Sequence, residues 1–250
     1  MSDKTKQYGL IIEEKPEDFI LGGGKIPFEV LQPDGNWFYF LPVKEFQSLA
    51  GFESFACVPF TILNCVETLI KRKYGIDSDW SDRFLATVVD TRSGGTTYQK
   101  ACDFLRKIGV PPEEVWAFGK DVDTTEKFFA PISPEVYALA KEFNAEWDLS
   151  YERVPSNHQD IAKALTTSPL LFSVAAWSEK DGMYYRPQGM TDNHATTLFY
   201  ARQGVFYRMF DTYDAPHIKD HNWNDLPMVC LRFHIEKRTQ KKKQDRKSVV

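Results

Sequence analysis

The apolar positions of this chain change period near its middle. From Cys57 to Tyr74, residues Phe60, Leu63, Val66, Leu69 and Ile70 recur at helical spacing, and Gly75 stops the run. Pro59 falls in the first turn, where a missing N–H costs nothing. Residues 81–88 read as a second, capped helix, and residues 97–108 as a third that ends on Gly109. Ser133-Pro134-Glu135 starts a helix that runs to about residue 143. Asn157 caps a short one holding Ile161, Ala164 and Leu165. After Pro169 the apolar runs shorten and fill with aromatic and β-branched residues. Segments 170–177, 195–201, 205–210 and 228–235 read as strands, with Arg202-Gln203-Gly204 as a hairpin turn. Segment 36–43 reads as a further strand running into Pro42. Helices first and strands second predict an α+β chain, a helical lobe packed on an antiparallel sheet or barrel lobe, with the boundary inside 119–156.

Composition narrows the classes. With 250 residues, 42% of them hydrophobic, the chain is long enough for one substantial core or two lobes sharing a cleft. Its net charge of -4 argues against nucleic acid as the main partner. Residues 1–11 are polar and lack the apolar core of a secretory signal, and no run reaches membrane-spanning length, so no membrane is expected and a cytoplasmic protein is. Cys65 and Cys102 sit in helical patterns and Cys230 in a strand pattern, and these read as buried thiols rather than bridges. No CxxC pair occurs, so no metal site is expected, and no cofactor. Gly22-Gly23-Gly24 reads as a hinge rather than a phosphate loop, because no Lys-Ser/Thr follows in register.

The chemistry centres on Cys57. A thiol at a helix N-terminus feels the positive end of the macrodipole and the unpaired N–H groups of the first turn, both of which favour the thiolate. His194 follows Thr191-Asp192-Asn193 and opens an apolar strand. Asp211 closes the next strand, which is its hairpin partner. Thiolate, imidazole and carboxylate together make the triad of a cysteine hydrolase. Tyr213 is placed to shield the histidine–aspartate bond from water. Each residue also has a structural reading: a small buried thiol, a satisfied histidine, a turn aspartate.

The run from Phe55 through Gly75 resembles the catalytic helix of papain-like cysteine peptidases. His194 lies inside the roughly 130–150-residue window found downstream of the papain-type cysteine, and Asp211 just beyond it. Asn193-His194-Ala195 is similar to the family's Asp/Asn-His-Ala, and Asp211-Thr212-Tyr213 stands where the family has Asn-Ser-Trp. Val58 departs from the family's local signature. Pro42-Val43-Lys44-Glu45-Phe46-Gln47 looks like the stretch whose glutamine donates to the oxyanion, which makes Gln47 the candidate donor, although its gap to Cys57 is longer than usual. Gly94 and Gly95 match the glycine pair that lines the substrate cleft, where an exposed backbone edge pairs with an extended peptide. With Asn193 they are the expected substrate-binding residues. Trp177 and Asp192 are expected to line the pocket nearby.

The resemblance implies a papain-like fold and a peptidase acting on peptide or protein substrates. It places an N-terminal extension at 1–40 and a catalytic domain at 41–236. The helical lobe is about 50–145 and the β lobe about 150–236, followed by a basic, disordered tail at 237–250. The tail reads as a solvated end, or else as a contact for an acidic partner. Too few residues precede Pro42 for the family's helical propeptide, which resembles an intracellular bacterial or virus-associated relative. Two other readings stay open: an isopeptidase or amidase using the same triad, and an inactive papain-like scaffold that serves as a binding or structural protein.

Overall fold

The computed structural model describes residues 8–13, 29–47 and 52–238. The glycine run 22–24 and the tail beyond Arg238 lie outside them. Among the described residues, five of the six helices begin at a capping side chain. α1 (Cys57–Tyr74) ends on Gly75, whose φ of 67° lets its N–H donate to the Lys71 carbonyl. Five more helices follow: α2 (Asp82–Val89), α3 (Tyr98–Ile108), α4 (Thr125–Phe128), α5 (Pro134–Glu146) and α6 (His158–Leu165). Each is opened by a side chain that accepts a first-turn N–H, from Ser81, Thr97, Thr124, Ser133 and Asn157 in turn.

Eight strands form one sheet: β1 (Trp147–Arg153), β2 (Leu170–Val174), β3 (Ser178–Lys180), β4 (Met183–Tyr185), β5 (His194–Arg202), β6 (Phe206–Phe210), β7 (Ile218–Asn222) and β8 (Cys230–Lys237). Their order is β1-β8-β2-β5-β6-β7-β4-β3. Every pairing is antiparallel except the β4–β7 contact at Tyr184 and His221. The architecture is α+β as expected, and of the two expected forms of the β lobe it is the open sheet, not a barrel. α1 lies between the layers, with α2 and α3 on one flank and β2, β5 and β8 on the other. It is therefore buried from Cys57 to Ile70, well beyond the single apolar face its spacing suggests.

Three expectations need correction. Segment 36–43 is not a strand but a 3-10 turn at Phe38–Phe40. Trp37 is sealed in the core, donating its N–H to Phe199 O and its indole Nε1 to Leu165 O, while Phe38 and Tyr39 face solvent. Residues 1–20 read as polar and peripheral, yet Leu10 belongs to the main core, as do Leu31 and Trp37 of the expected extension. Finally, Lys237 pairs with Trp147 at the end of β8, and the Arg238 N–H donates to Glu146 O, so the sheet runs past residue 236. All four cysteines are unbridged and buried. Among the described residues no helix is long and apolar enough to cross a membrane, and no cluster of three or more His, Cys, Asp or Glu is arranged to hold a metal ion.

Candidate active site

Cys57 is the first residue of α1, and no side chain caps that end. The unpaired N–H groups and the positive end of a long buried helix therefore meet at the thiol. The chain enters through a tight turn. Phe55 has a φ of 53°, in the left-handed region, and its N–H is held by Glu53 Oε1 at 2.9 Å. The β5–β6 hairpin supplies the rest. It brings His194, at the start of β5, beside Asp211, just past the end of β6. His194 Nε2 donates to Asp211 Oδ1 at 2.7 Å, and Cys57, His194 and Asp211 are each 0% exposed.

The other imidazole nitrogen, Nδ1, turns to the Cys57 thiol without a hydrogen bond of normal geometry. Burial opposes a charge on this ring. Asp211, through its charge and its hydrogen bond, and then Cys57 outweigh burial and push the imidazole up to about 10. Burial on its own would raise Asp211, but His194 and then Lys219 hold its carboxyl below the usual range. Three rings close over the imidazole. Trp177 and Tyr213 meet it edge-on at 5.5 and 5.9 Å, and Tyr8 is tilted against it at 5.1 Å. The Tyr213 hydroxyl donates to Glu53 Oε2 at 2.6 Å.

Gln47 is buried beside the Asp211–Tyr213 loop. Its N–H donates to Thr212 O at 2.8 Å, and its Oε1 accepts from Thr212 Oγ1 at 3.1 Å. Its amide nitrogen has no hydrogen-bond partner among the described residues.

The cleft edge is occupied by the chain itself. Thr96 N–H donates to Gly9 O at 2.9 Å, Ile11 N–H donates to Thr96 O at 3.0 Å, and Leu10 N–H donates to Asn193 O at 3.2 Å. Clearance is tight. A Cβ on Gly9 would stand 2.0 Å from Phe55 O, and one on Gly95 would stand 1.8 Å from Gly9 O. Gly95, with a φ of 113°, thus provides room, while its neighbour Thr96 provides the pairing groups. Gly94 has only open space around it. Asn193 is fixed from the sheet side. Its N–H donates to Val174 O and its Oδ1 accepts from Ala176 N–H, which leaves its carbonyl to Leu10.

Asp192 does not line this cleft. Its side chain is buried, paired with Arg186, and accepts from Ser173 Oγ and Met228 N–H. It fastens the ends of β2, β5 and β8 because a carboxylate without solvent needs such partners. Sequence reasoning missed Lys219, Tyr8, Gly9 and Thr96. Lys219 lies on a strand whose inward positions are polar, and the Tyr8–Ile11 segment is too short for any period.

The sequence matches no protein-family model and no curated protein. Solved structures do match in shape. Bromelain from Ananas comosus, in complex with the E64 inhibitor, is 17% identical over 80% of this chain and 98% of its own, with a TM-score of 0.58. Xylellain, a cysteine protease from Xylella fastidiosa, is 16% identical over 93% and 96%, with a TM-score of 0.60. Procathepsin L 3 of the Tenebrio molitor larval midgut is 12% identical over 86% and 73%, with a TM-score of 0.58. At such identities the likeness speaks for architecture. The fold of this chain is that of the papain-like cysteine proteases.

Proposed function

We propose that this chain is a cysteine peptidase that hydrolyses extended peptides through Cys57 and His194. The observation that carries the reading is the buried Cys57–His194–Asp211 constellation standing beside a backbone edge already paired with an extended strand. The Cys57 thiolate attacks the scissile carbonyl carbon. His194 Nδ1 gives its proton to the leaving amine as the C–N bond breaks, leaving a thioester. Water then adds to the thioester carbon as His194 takes its proton, and the C–S bond breaks to restore the thiolate. Asp211 orients the imidazole throughout. The free Gln47 amide N–H and the Cys57 backbone N–H are the candidate donors for the oxyanion.

Thr96 and Asn193 bind the substrate backbone, with Gly94 and Gly95 leaving room for it. An isopeptidase or amidase would use the same groups, and only the substrate tells these apart.

The test is brief treatment with a limiting thiol alkylator at pH 6, with peptide mapping, on wild type and His194→Ala, beside turnover of an extended peptide library. A thiol of ordinary pKa reacts slowly there and an ion-paired thiolate fast. Selective labelling of Cys57 that collapses in His194→Ala is expected once residues 8–11 are displaced, as by Gly9→Ala. Slow labelling indifferent to His194, also when residues 8–11 are displaced, would leave an inactive scaffold.

A further inference from the structure

A second buried charge stands behind the triad. Lys219, on β7, is 1% exposed, and its Nζ lies 2.7 Å from Asp211 Oδ2. It also donates to Pro216 O at 2.7 Å, Asp214 O at 3.0 Å and Asp214 Oδ1 at 3.1 Å. Four acceptors thus surround an ammonium with three protons, so the group is fully satisfied and fixed in direction. The rings of Trp177 and Tyr184 cover it, with centroids 5.2 and 5.8 Å from Nζ. Trp177 therefore roofs both Lys219 and His194.

We propose that Lys219 is a positioning residue, which offsets part of the charge of Asp211 and holds its Oδ2 so that Oδ1 meets His194 as a fixed acceptor of reduced charge. This rests on the reading of Cys57 and His194 as a working pair and says how that pair is tuned.

The role of Lys219 is one of charge. Orienting an imidazole needs only an acceptor, and an uncompensated buried carboxylate would do more: it would hold the ring proton too firmly for His194 to release it to a leaving amine. A buried ion pair brings little stability of its own, because desolvation offsets the attraction. What Lys219 supplies is partial compensation of that charge and a fixed carboxylate geometry. The other titratable groups facing His194 are Tyr8 from the N-terminal segment, Glu53 and Cys57 at the start of α1, and Tyr213 beyond β6. Asp214 faces Lys219 rather than the ring.

The experiment follows the ring nitrogens of His194 against pH by NMR on the 15N-labelled full chain, together with thermal melts. It reports the ring directly, whatever the access to the thiol. Lys219→Met should raise the His194 midpoint by about one pH unit or more, as an uncompensated buried carboxylate partner does. Asp211→Asn with Lys219 kept should lower the midpoint and the melting temperature, because the lysine loses the nearer of its two carboxylate partners. Asp211→Asn/Lys219→Met should bring the midpoint back towards wild type and melt above Asp211→Asn. An unmoved midpoint in Lys219→Met overturns the proposal. If that variant does not fold, the double variant decides: one that fails to fold, or melts no higher than Asp211→Asn, overturns it. Cys57→Ser separates the two readings, since a midpoint that responds to Lys219 and ignores Cys57 keeps this inference while removing the Cys57–His194 pair.

Discussion

The ring of Tyr8 lies on the imidazole of His194, with centroids 5.1 Å apart and planes tilted by 59°. The same tyrosine packs on Tyr213 at 4.9 Å. With Gly9 threaded between the Phe55 and Gly95 backbones, residues 8–11 close the cleft over a thiol that has no exposed surface. The groups that would bind a peptide are already satisfied intramolecularly.

Gly9→Ala is therefore expected to open the site. The added Cβ cannot coexist with Phe55 O, and the substitution touches none of the reacting groups. The rate of Cys57 alkylation at pH 6 should rise about tenfold or more, which corresponds to ~1.4 kcal/mol of lost segment docking. An unchanged rate, read by intact mass and peptide mapping, would show that the segment does not gate the thiol.

Cys57→Ser should lose peptide turnover by roughly a thousandfold or more while keeping its melting temperature and circular dichroism. The position is buried at the start of α1, and the hydroxyl is close in size to the thiol. Turnover near wild type would take Cys57 out of the mechanism.

Stability should fall on the alkaline side. Glu113 is pushed up to about 8 by burial first, with Glu45 and Asp79 adding repulsion. Burial likewise raises Glu67 and Asp82 in the same region. A carboxyl whose folded pKa is raised contributes stability that is fully present below its unfolded value of 4.5 and is lost as pH rises through the folded one. The melting temperature should thus decline from pH 5 to pH 9, and Glu113→Gln should flatten the decline. A Glu113→Gln melt shifted equally at both ends would refute this origin. Asp211, held low, loses its contribution only under more acidic conditions.

The end of β8 makes a sharper truncation test than the tail as a whole. Cutting after Arg238 keeps the Lys237–Trp147 pairing and the bonds of Arg238 to Glu146 O and Trp147 O. Cutting after Glu236 removes both. The first chain should melt close to wild type and the second a few degrees lower, since each lost hydrogen bond costs about 0.5–1.5 kcal/mol. Equal melting points would mean that these contacts carry no stability.

Helices were legible because their signals are local. Ser81, Thr97, Ser133 and Asn157 cap where they stand, and Gly75 and Gly109 terminate. The hairpin carrying His194 and Asp211 was legible because both strands are apolar and Gly204 marks the turn. β7 was not. Its inward residues are Lys219 and His221, so the alternation that identifies a half-buried strand is written in polar side chains. The residue that pairs with Asp211 was hidden for the same reason. β1 was not legible although Trp147, Leu149 and Tyr151 alternate with polar residues, because it continues directly from α5 with no turn residue to mark its start. The aromatic run at 37–40 misled in the opposite sense, since only Trp37 faces the core.

Asn193 and His194 are consecutive residues, and the first is tied to the β2 side of the sheet by both its N–H and its side chain. On the proposed reading, the carbonyl that would anchor a docked chain and the imidazole that would move the proton are thus carried on consecutive residues of one tethered stretch of backbone. Nothing between them can flex to correct an error. A docked chain displaced by one residue along Thr96 travels about 3.3 Å, and a different bond then faces the thiol. For a peptidase of this build, choice of the bond to be cut would be a matter of registration, set where the strand locks onto a carbonyl before any chemistry begins.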